Sequence, residues 1–187
     1  MKDSETRTRI LQTAKRLFYE QGYNNTGINQ VIDEAGIARA SLYHHFSSKR
    51  DLLTAYLEEM SEQFVKELNV HLSPLKEPRK RLLGFFDYWI EKQYNTSFGG
   101  CHVVKISAEA IKADQVLFQQ AATHKENLKQ FIATQVNLLP ARESQSLTKE
   151  LLTETLFLLL EGAIVNATIQ RNNEPLKQAR KIAARLI

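Results

Sequence analysis

An all-α fold of about nine helices is predicted for this chain by three observations. Gly and Pro number only 7 and 4 among 187 residues, while Leu, Ala, Glu, Lys and Gln, all good helix formers, recur throughout. Apolar residues return at spacings of three, four and seven, the period of an amphipathic helix. The segments between these patterns are short and carry Gly, Pro, Asn or Ser, which end helices or turn the chain. A hydrophobic content of 43% and a charged content of 25% support a buried core and exclude a disordered chain.

The elements follow in order. Helix 1 is expected from about Ser4 to Gln21, with Ile10, Ala14, Leu17 and Phe18 as its inward stripe and Gly22 as its stop. Ile28, Val31, Ile32 and Ala35 mark a short second helix with Thr26 as candidate N-cap; Gly36 ends it and Ile37 plugs the turn. Helix 3 covers about Arg39 to His45, with Leu42 and Phe46 facing inward. Ser48 and Asp51 stand at capping-box spacing before a long fourth helix, whose buried face runs through Leu53, Leu57, Met60, Phe64 and Leu68 to about Leu72.

"SPLKEP" breaks the chain before an aromatic-rich fifth helix from about Pro78 to Tyr94. "NTSFGG" then precedes a sixth helix that begins near Cys101. Helix 7 is expected from roughly Asp114 to Leu138, stopped by Pro140, and helix 8 from about Thr148 to Arg171. Helix 8 is apolar around most of its circumference between Leu151 and Ile169, so more than one side must be covered. A second copy of the chain could cover one side, with Leu156, Leu160 and Ile164 as candidate dimer residues. Helix 9 follows Pro175.

Two short helices joined by a Gly-containing turn describe a helix-turn-helix, here residues 27–46. With Leu42 and Phe46 inward, Arg39, Ser41, Tyr43, His44 and His45 lie on the outer side of helix 3, and such side chains suit phosphates and base edges. Charge agrees: the first fifty residues hold eight basic and five acidic side chains, the remaining 137 hold 17 and 16. A metal or catalytic role for His44 and His45 is not expected. Neighbours on a helix diverge by about 100°, and neither has an acidic or Cys partner at i+3 or i+4.

The stretch from Ile10 to Leu53, carried by "AKRLFYEQGY" and "INQVIDEAGIARASLYHHFSSKRDLL", resembles the DNA-binding head of the TetR family of bacterial transcriptional repressors. The resemblance implies a DNA-binding domain over 1–50, continuing into helix 4, and a regulatory and dimerisation domain over 51–187. It implies that Arg39, Ala40 and Ser41 head the recognition helix, that Tyr43 and His44 lie against backbone and base edges, and that His45 touches phosphate. Thr26, Gly27 and Lys49 would meet phosphate at the starts of helices 2 and 4. Ala38 stands where the family often has Ser or Thr, so a hydroxyl is missing there. The implied partners are palindromic double-stranded operator DNA and a second copy of the chain.

In such a body Phe85, Tyr88, Trp89 and Phe118 would line a ligand chamber, although an aromatic row is more often core. "GGCHVVKISAEA" and "EGAIVNATIQRNNEPL" resemble the electrophile-sensing members of the family, those that repress N-ethylmaleimide reductase. Cys101 at the start of helix 6, with Lys105 four residues on, is then the candidate sensor, because a helix N-terminus and a cation both favour a thiolate. The alternatives are a reversible apolar ligand with Cys101 as a small buried hydrophobe, or, more remotely, a helical enzyme or adaptor. No paired carboxylates, nucleophile–base pair or Gly-rich phosphate loop speaks for an enzyme, and no cofactor is expected. The absence of eighteen consecutive apolar residues, of an apolar signal region in "MKDSETRTRI", and of a second cysteine leads to the expectation of a cytoplasmic protein without a membrane partner.

Overall fold

The computed structural model describes residues 2–110, 115–140 and 147–187. Among the described residues it has nine helices and no strand: α1 (Lys2–Glu20), α2 (Ile28–Ala35), α3 (Arg39–His45), α4 (Lys49–Leu72), α5 (Pro78–Asn95), α6 (His102–Ala110), α7 (Gln115–Asn137), α8 (Lys149–Gln170) and α9 (Glu174–Leu186). The expected all-α class and the order of elements are those observed. The start of helix 7 expected near Asp114 lies outside the described residues.

The chain forms two compact units. One holds Met1–Gln63 with His102–Ala121, the other Phe64–Cys101 with Ala122–Ile187. α4 contributes to both units, and α6 belongs with the N-terminal helices. The interactions of α6 give the reason. The His102 ring stacks on Tyr19 with centroids 4.5 Å apart, and its Nδ1 lies 3.0 Å from the Tyr56 hydroxyl. The Glu109 carboxylate accepts the backbone N–H of Asn24 at 3.2 Å. No sequence period reports such contacts, because they join residues tens of positions apart.

In the first unit α1, α2 and α3 pack on one another through Ile10, Ala14, Leu17, Phe18, Val31, Ile32, Ala35, Leu42 and Phe46, all buried. The turn into α4 is held by its cap. Ser48 Oγ accepts the Asp51 N–H at 3.1 Å, while the Asp51 carboxylate accepts the Ser47 N–H at 3.2 Å. The Ser48–Asp51 spacing thus works as a cap, with the return bond falling one residue earlier than a capping box places it.

In the second unit α8 packs against α5 and α9. Thr148 caps α8 by accepting the Leu151 N–H at 3.2 Å. Leu156, Leu160 and Ile164, expected at a dimer interface, are 0%, 1% and 2% exposed inside the protomer's own core. The apolar residues that α8 leaves outside are instead Leu151, Leu158, Val165 and Ile169, with Ile182 on α9. Sequence alone could not tell the two faces of so uniformly apolar a helix apart. By length and composition α8 is also long and apolar enough to cross a membrane; here Leu152, Leu156, Leu160, Ala163, Ile164 and Ala167 are buried against protein.

Deleting a side chain from this core leaves a cavity. Leu156→Ala is therefore expected to lower unfolding stability by about 2–5 kcal/mol in urea titrations. A loss below about 0.5 kcal/mol would mean that Leu156 is not in a packed core.

Candidate nucleic-acid interface and thiol site

The helix-turn-helix is built from a backbone device. Gly36 closes α2 with φ 60°, a left-handed conformation that costs glycine little, and the Ile37 N–H reaches back to the Ile32 carbonyl at 3.2 Å. The chain then re-enters a helix at Arg39. Leu42, fully buried, and Phe46 pull the inner side of α3 onto α1 and α2, and the Arg7 guanidinium lies over the Phe46 ring at 5.2 Å. What remains outside follows from helical geometry. Arg39, Ala40, Tyr43 and His44 are exposed, while Ser41 and His45 are half-buried. Arg39 donates to Asn29 Oδ1 at 3.2 Å, which leans it along α2 and presents it at the head of the exposed row.

The other candidates divide. Gly27 is exposed at the N-cap position of α2. Thr26 is not: it is 1% exposed, its hydroxyl donates to the Gly22 carbonyl at 2.7 Å and its N–H to the Tyr23 carbonyl at 3.2 Å. Its expected roles as N-cap and phosphate contact are therefore corrected; it holds the turn before α2 internally. Lys49 opens α4 as expected, with its ammonium 4.1 Å from the centre of the Tyr23 ring. Partial burial pulls Lys49 below the ordinary lysine range, with Glu109 acting in the opposite direction.

Sequence reasoning also missed a neighbour of the two histidines. Asp3 of α1 places Oδ1 at 3.3 Å from His45 Nε2 and 3.7 Å from His44 Nε2. No local pattern could have shown this, since Asp3 and the two histidines are about forty residues apart and on different helices.

The thiol site lies in the second unit. Ser97, Phe98 and Gly100 all have positive φ, so the chain between α5 and Cys101 is tightly wound. A Cβ at Gly100 would fall 2.9 Å from Thr168 Oγ1, and the Gly100 N–H donates to Gln93 Oε1 at 3.2 Å. Gln93 is itself buried, and donates to the Ile164 carbonyl at 3.3 Å and to Thr168 Oγ1 at 3.1 Å. Cys101 emerges from this loop buried, just before α6 begins at His102. Because it precedes the helix, the i, i+4 relation expected with Lys105 does not apply. The Lys105 ammonium lies over the Tyr19 ring at 5.1 Å. The amine at the thiol is that of Lys125, 3.8 Å from Sγ and held by Glu161 at 2.6 and 2.7 Å. Glu161 was visible as an interruption of an apolar run. A carboxylate in such a place calls for a cation, and that was the signal for this pair.

Of the four aromatics expected around a chamber, Phe85 and Trp89 are core, and Phe118 is 51% exposed. Tyr88 does line a cavity of 560 Å³, together with Lys66, Glu67, His71, Glu91 and Lys92. Its hydroxyl donates to Glu67 at 2.9 Å, and Glu67 also accepts from Lys92 at 2.7 Å. Burial raises the Tyr88 phenol far above its usual range, and the Glu67 carboxylate adds to the shift.

A head of this geometry, with one short helix presented outward on two others, is that of a helix-turn-helix DNA-binding domain. Residues 10–56 match the family profile of bacterial regulatory proteins of the tetR family, and residues 78–183 match the tetracyclin repressor-like C-terminal domain. The chain belongs to the TetR family. It is 28% identical to the HTH-type transcriptional repressor NemR of Escherichia coli K12 over 184 residues, 95% of this chain and 91% of that one. It is 28% identical to the HTH-type transcriptional regulator LmrA of Bacillus subtilis over 183 residues, 94% and 93% of the two chains. An uncharacterized HTH-type transcriptional regulator of Mycobacterium tuberculosis, Rv1255c, is 37% identical over 75 residues, but the match spans only 37% of that protein's length. Among solved structures, the reduced form of Escherichia coli NemR aligns with a TM-score of 0.80 at 25% identity, over 98% of this chain and 97% of that one.

His124, the residue before Lys125, gives a pH dependence. Burial, and secondarily Lys125, push its imidazole down from 6.5 to about 4. Below about pH 6.5 the unfolded chain takes up a proton that the folded chain refuses until about pH 4. This contribution to stability is therefore complete above pH 6.5 and is lost as pH falls, by roughly 3 kcal/mol over the window. Urea unfolding of His124→Gln is expected to lose less stability between pH 7 and 4.5 than the unmodified chain loses. Equal losses would contradict the assignment.

Proposed function

We propose that the chain is a homodimeric repressor that binds a palindromic operator through the α3 helices of two copies and releases it when Cys101 is modified by an electrophile or oxidant. The observation that carries the DNA half is the outward face of α3, with Arg39, Tyr43 and His44 exposed and the opposite face fully committed to the core. Arg39 at the helix start suits bidentate contact with a guanine edge. Tyr43 and His44, one turn further, suit base edges and backbone, and Gly27 and Lys49 flank them at two helix starts where backbone N–H groups receive phosphate. The apolar row Leu151, Leu158, Val165 on α8 repeats every seven residues and, with Ile169 and Ile182, is the surface a second copy would cover. The setting for this chemistry is the bacterial cytoplasm.

The signal half rests on the Lys125 ammonium 3.8 Å from the thiol, and on similarity to NemR, whose solved structure is of a reduced form. At that distance the Lys125 ammonium donates to the sulfur while its other contacts go to Glu161. Modification adds bulk at a buried sulfur, beside the Lys125–Glu161 ion pair. The next residue, His102, opens α6 in the unit that holds the DNA-facing helix, so the disturbance has a covalent route to it. A second reading is favoured by the cavity at Tyr88: a reversible ligand could bind there. Its surface is mostly apolar, from Val70, Tyr88 and the stems of Lys66 and Lys92, with Glu67, His71 and Glu91 at its walls, so that ligand would carry an apolar body with a few polar groups.

Two variants separate the parts. Arg39→Ala is expected to cost about 1–3 kcal/mol on the operator and much less on random duplex. Equal losses on both, in a titration at fixed salt, would remove Arg39 from base reading. Cys101→Ser is expected to keep operator affinity and lose release by an electrophile such as N-ethylmaleimide. Release that persists in Cys101→Ser would transfer the signal to the Tyr88 cavity.

A further inference from the structure

We propose that Asp3, His44 and His45 form a site for a divalent transition-metal ion of the zinc class, and that metal bound there competes with DNA for α3. Sequence reading set a metal role aside because adjacent histidines diverge on a helix and lack a partner along it. The structure answers the second objection with a residue from another helix. Asp3 Oδ1 lies 3.3 Å from His45 Nε2 and 3.7 Å from His44 Nε2, and the three donor atoms all fall within 4.8 Å of one another. A four-coordinate zinc with bonds of about 2.0–2.1 Å needs donors roughly 3.4 Å apart, so two of the three edges are already close to the required length.

The first objection is met by position. His44 and His45 are the last two residues of α3, and the chain leaves the helix at Phe46 in an extended conformation. Their rings sit 5.0 Å apart at 70°, and both turn an Nε2 toward the same carboxylate.

The donors also differ in a useful way. The His45 side chain is only 8% exposed and so held by its surroundings, whereas His44 and Asp3 are 69% and 76% exposed. A metal site needs a fixed anchor and an entry path, and this one has both. Arg7, one turn after Asp3, lies over Phe46 and ties the first turns of α1 to the end of α3. A plain carboxylate–imidazole pair at this exposure would contribute little to stability. Two imidazoles and a carboxylate, with a fourth position left to water, form a donor set that zinc and its neighbours in the transition series accept. Ligation occupies the Nε2 atoms of both histidines and adds the Asp3 carboxylate to the reading face. That second consequence rests on the DNA reading above; metal binding does not.

The test uses the full chain carrying Cys101→Ser, so that the thiol cannot hold the probe, and zinc chloride as the only ligand. Calorimetric titration is expected to show one zinc per chain, with affinity falling about tenfold or more in Asp3→Ala and in His45→Gln. Asp3→Asn, which keeps shape and removes charge, should lose affinity too. Without metal, Asp3→Ala should bind operator as the reference does. With saturating zinc, the reference should lose operator affinity about tenfold or more while Asp3→Ala keeps it, since only the reference loses its histidines to the metal. No zinc uptake, or uptake indifferent to Asp3, overturns the site. Uptake at the site with operator affinity unchanged overturns the competition. A reference chain that binds no duplex even without metal counts against the DNA reading alone, because the zinc titration is read independently.

Discussion

Burial of Leu42 in the middle of a seven-residue helix is the constraint on which the head depends. A helix that short has little stability of its own, because nucleation costs more than two turns of hydrogen bonds return. Leu42 and Phe46 anchor it to α1 and α2, and the left-handed turn at Gly36 delivers the chain at the right angle. Once Leu42 is inside, the helical period turns Tyr43 and His44 outward, while Arg39, on the side of Leu42, is exposed as the first residue of α3. The outward face of α3 is thus a by-product of core packing, and its chemistry can change without disturbing the scaffold.

The second unit places its polar groups differently. Gln93 is buried in the core, where it bonds to Thr168 and to the Ile164 carbonyl, while half-buried Lys125 pairs with Glu161. A buried amide such as Gln93 is costly when a partner moves. Cys101 lies next to Lys125 and directly after the Gly100 turn, so its sulfur borders this polar set.

Much of the fold was legible because helix periodicity and Gly or Pro breaks are local signals. α3 falls on the residues where Leu42 and Phe46 put it, and α4 runs from Lys49 to Leu72 as its apolar stripe indicates. What failed was whatever depended on which side of an element meets another. Thr26 reads as a cap from its type and place, yet its hydroxyl turns back to Gly22. Leu156, Leu160 and Ile164 read as interface because α8 is apolar on all sides, and only packing against α5 and α9 shows that Leu158 and Val165 are the outer row. Lys105 reads as the partner of Cys101 only if both are helical, and Cys101 is not. Asp3 beside His45 is a meeting of chain-distant residues that no spacing encodes.

The central claim is that two α3 helices read a duplex together. Selection of bound sites from a pool of random double-stranded DNA tests it most directly, with the unmodified chain as bait. The account predicts enrichment of one inverted repeat whose half-site centres lie about 34–36 Å apart along the duplex, or a multiple of that. Enrichment of a single asymmetric half-site, or of no sequence at all, would contradict it.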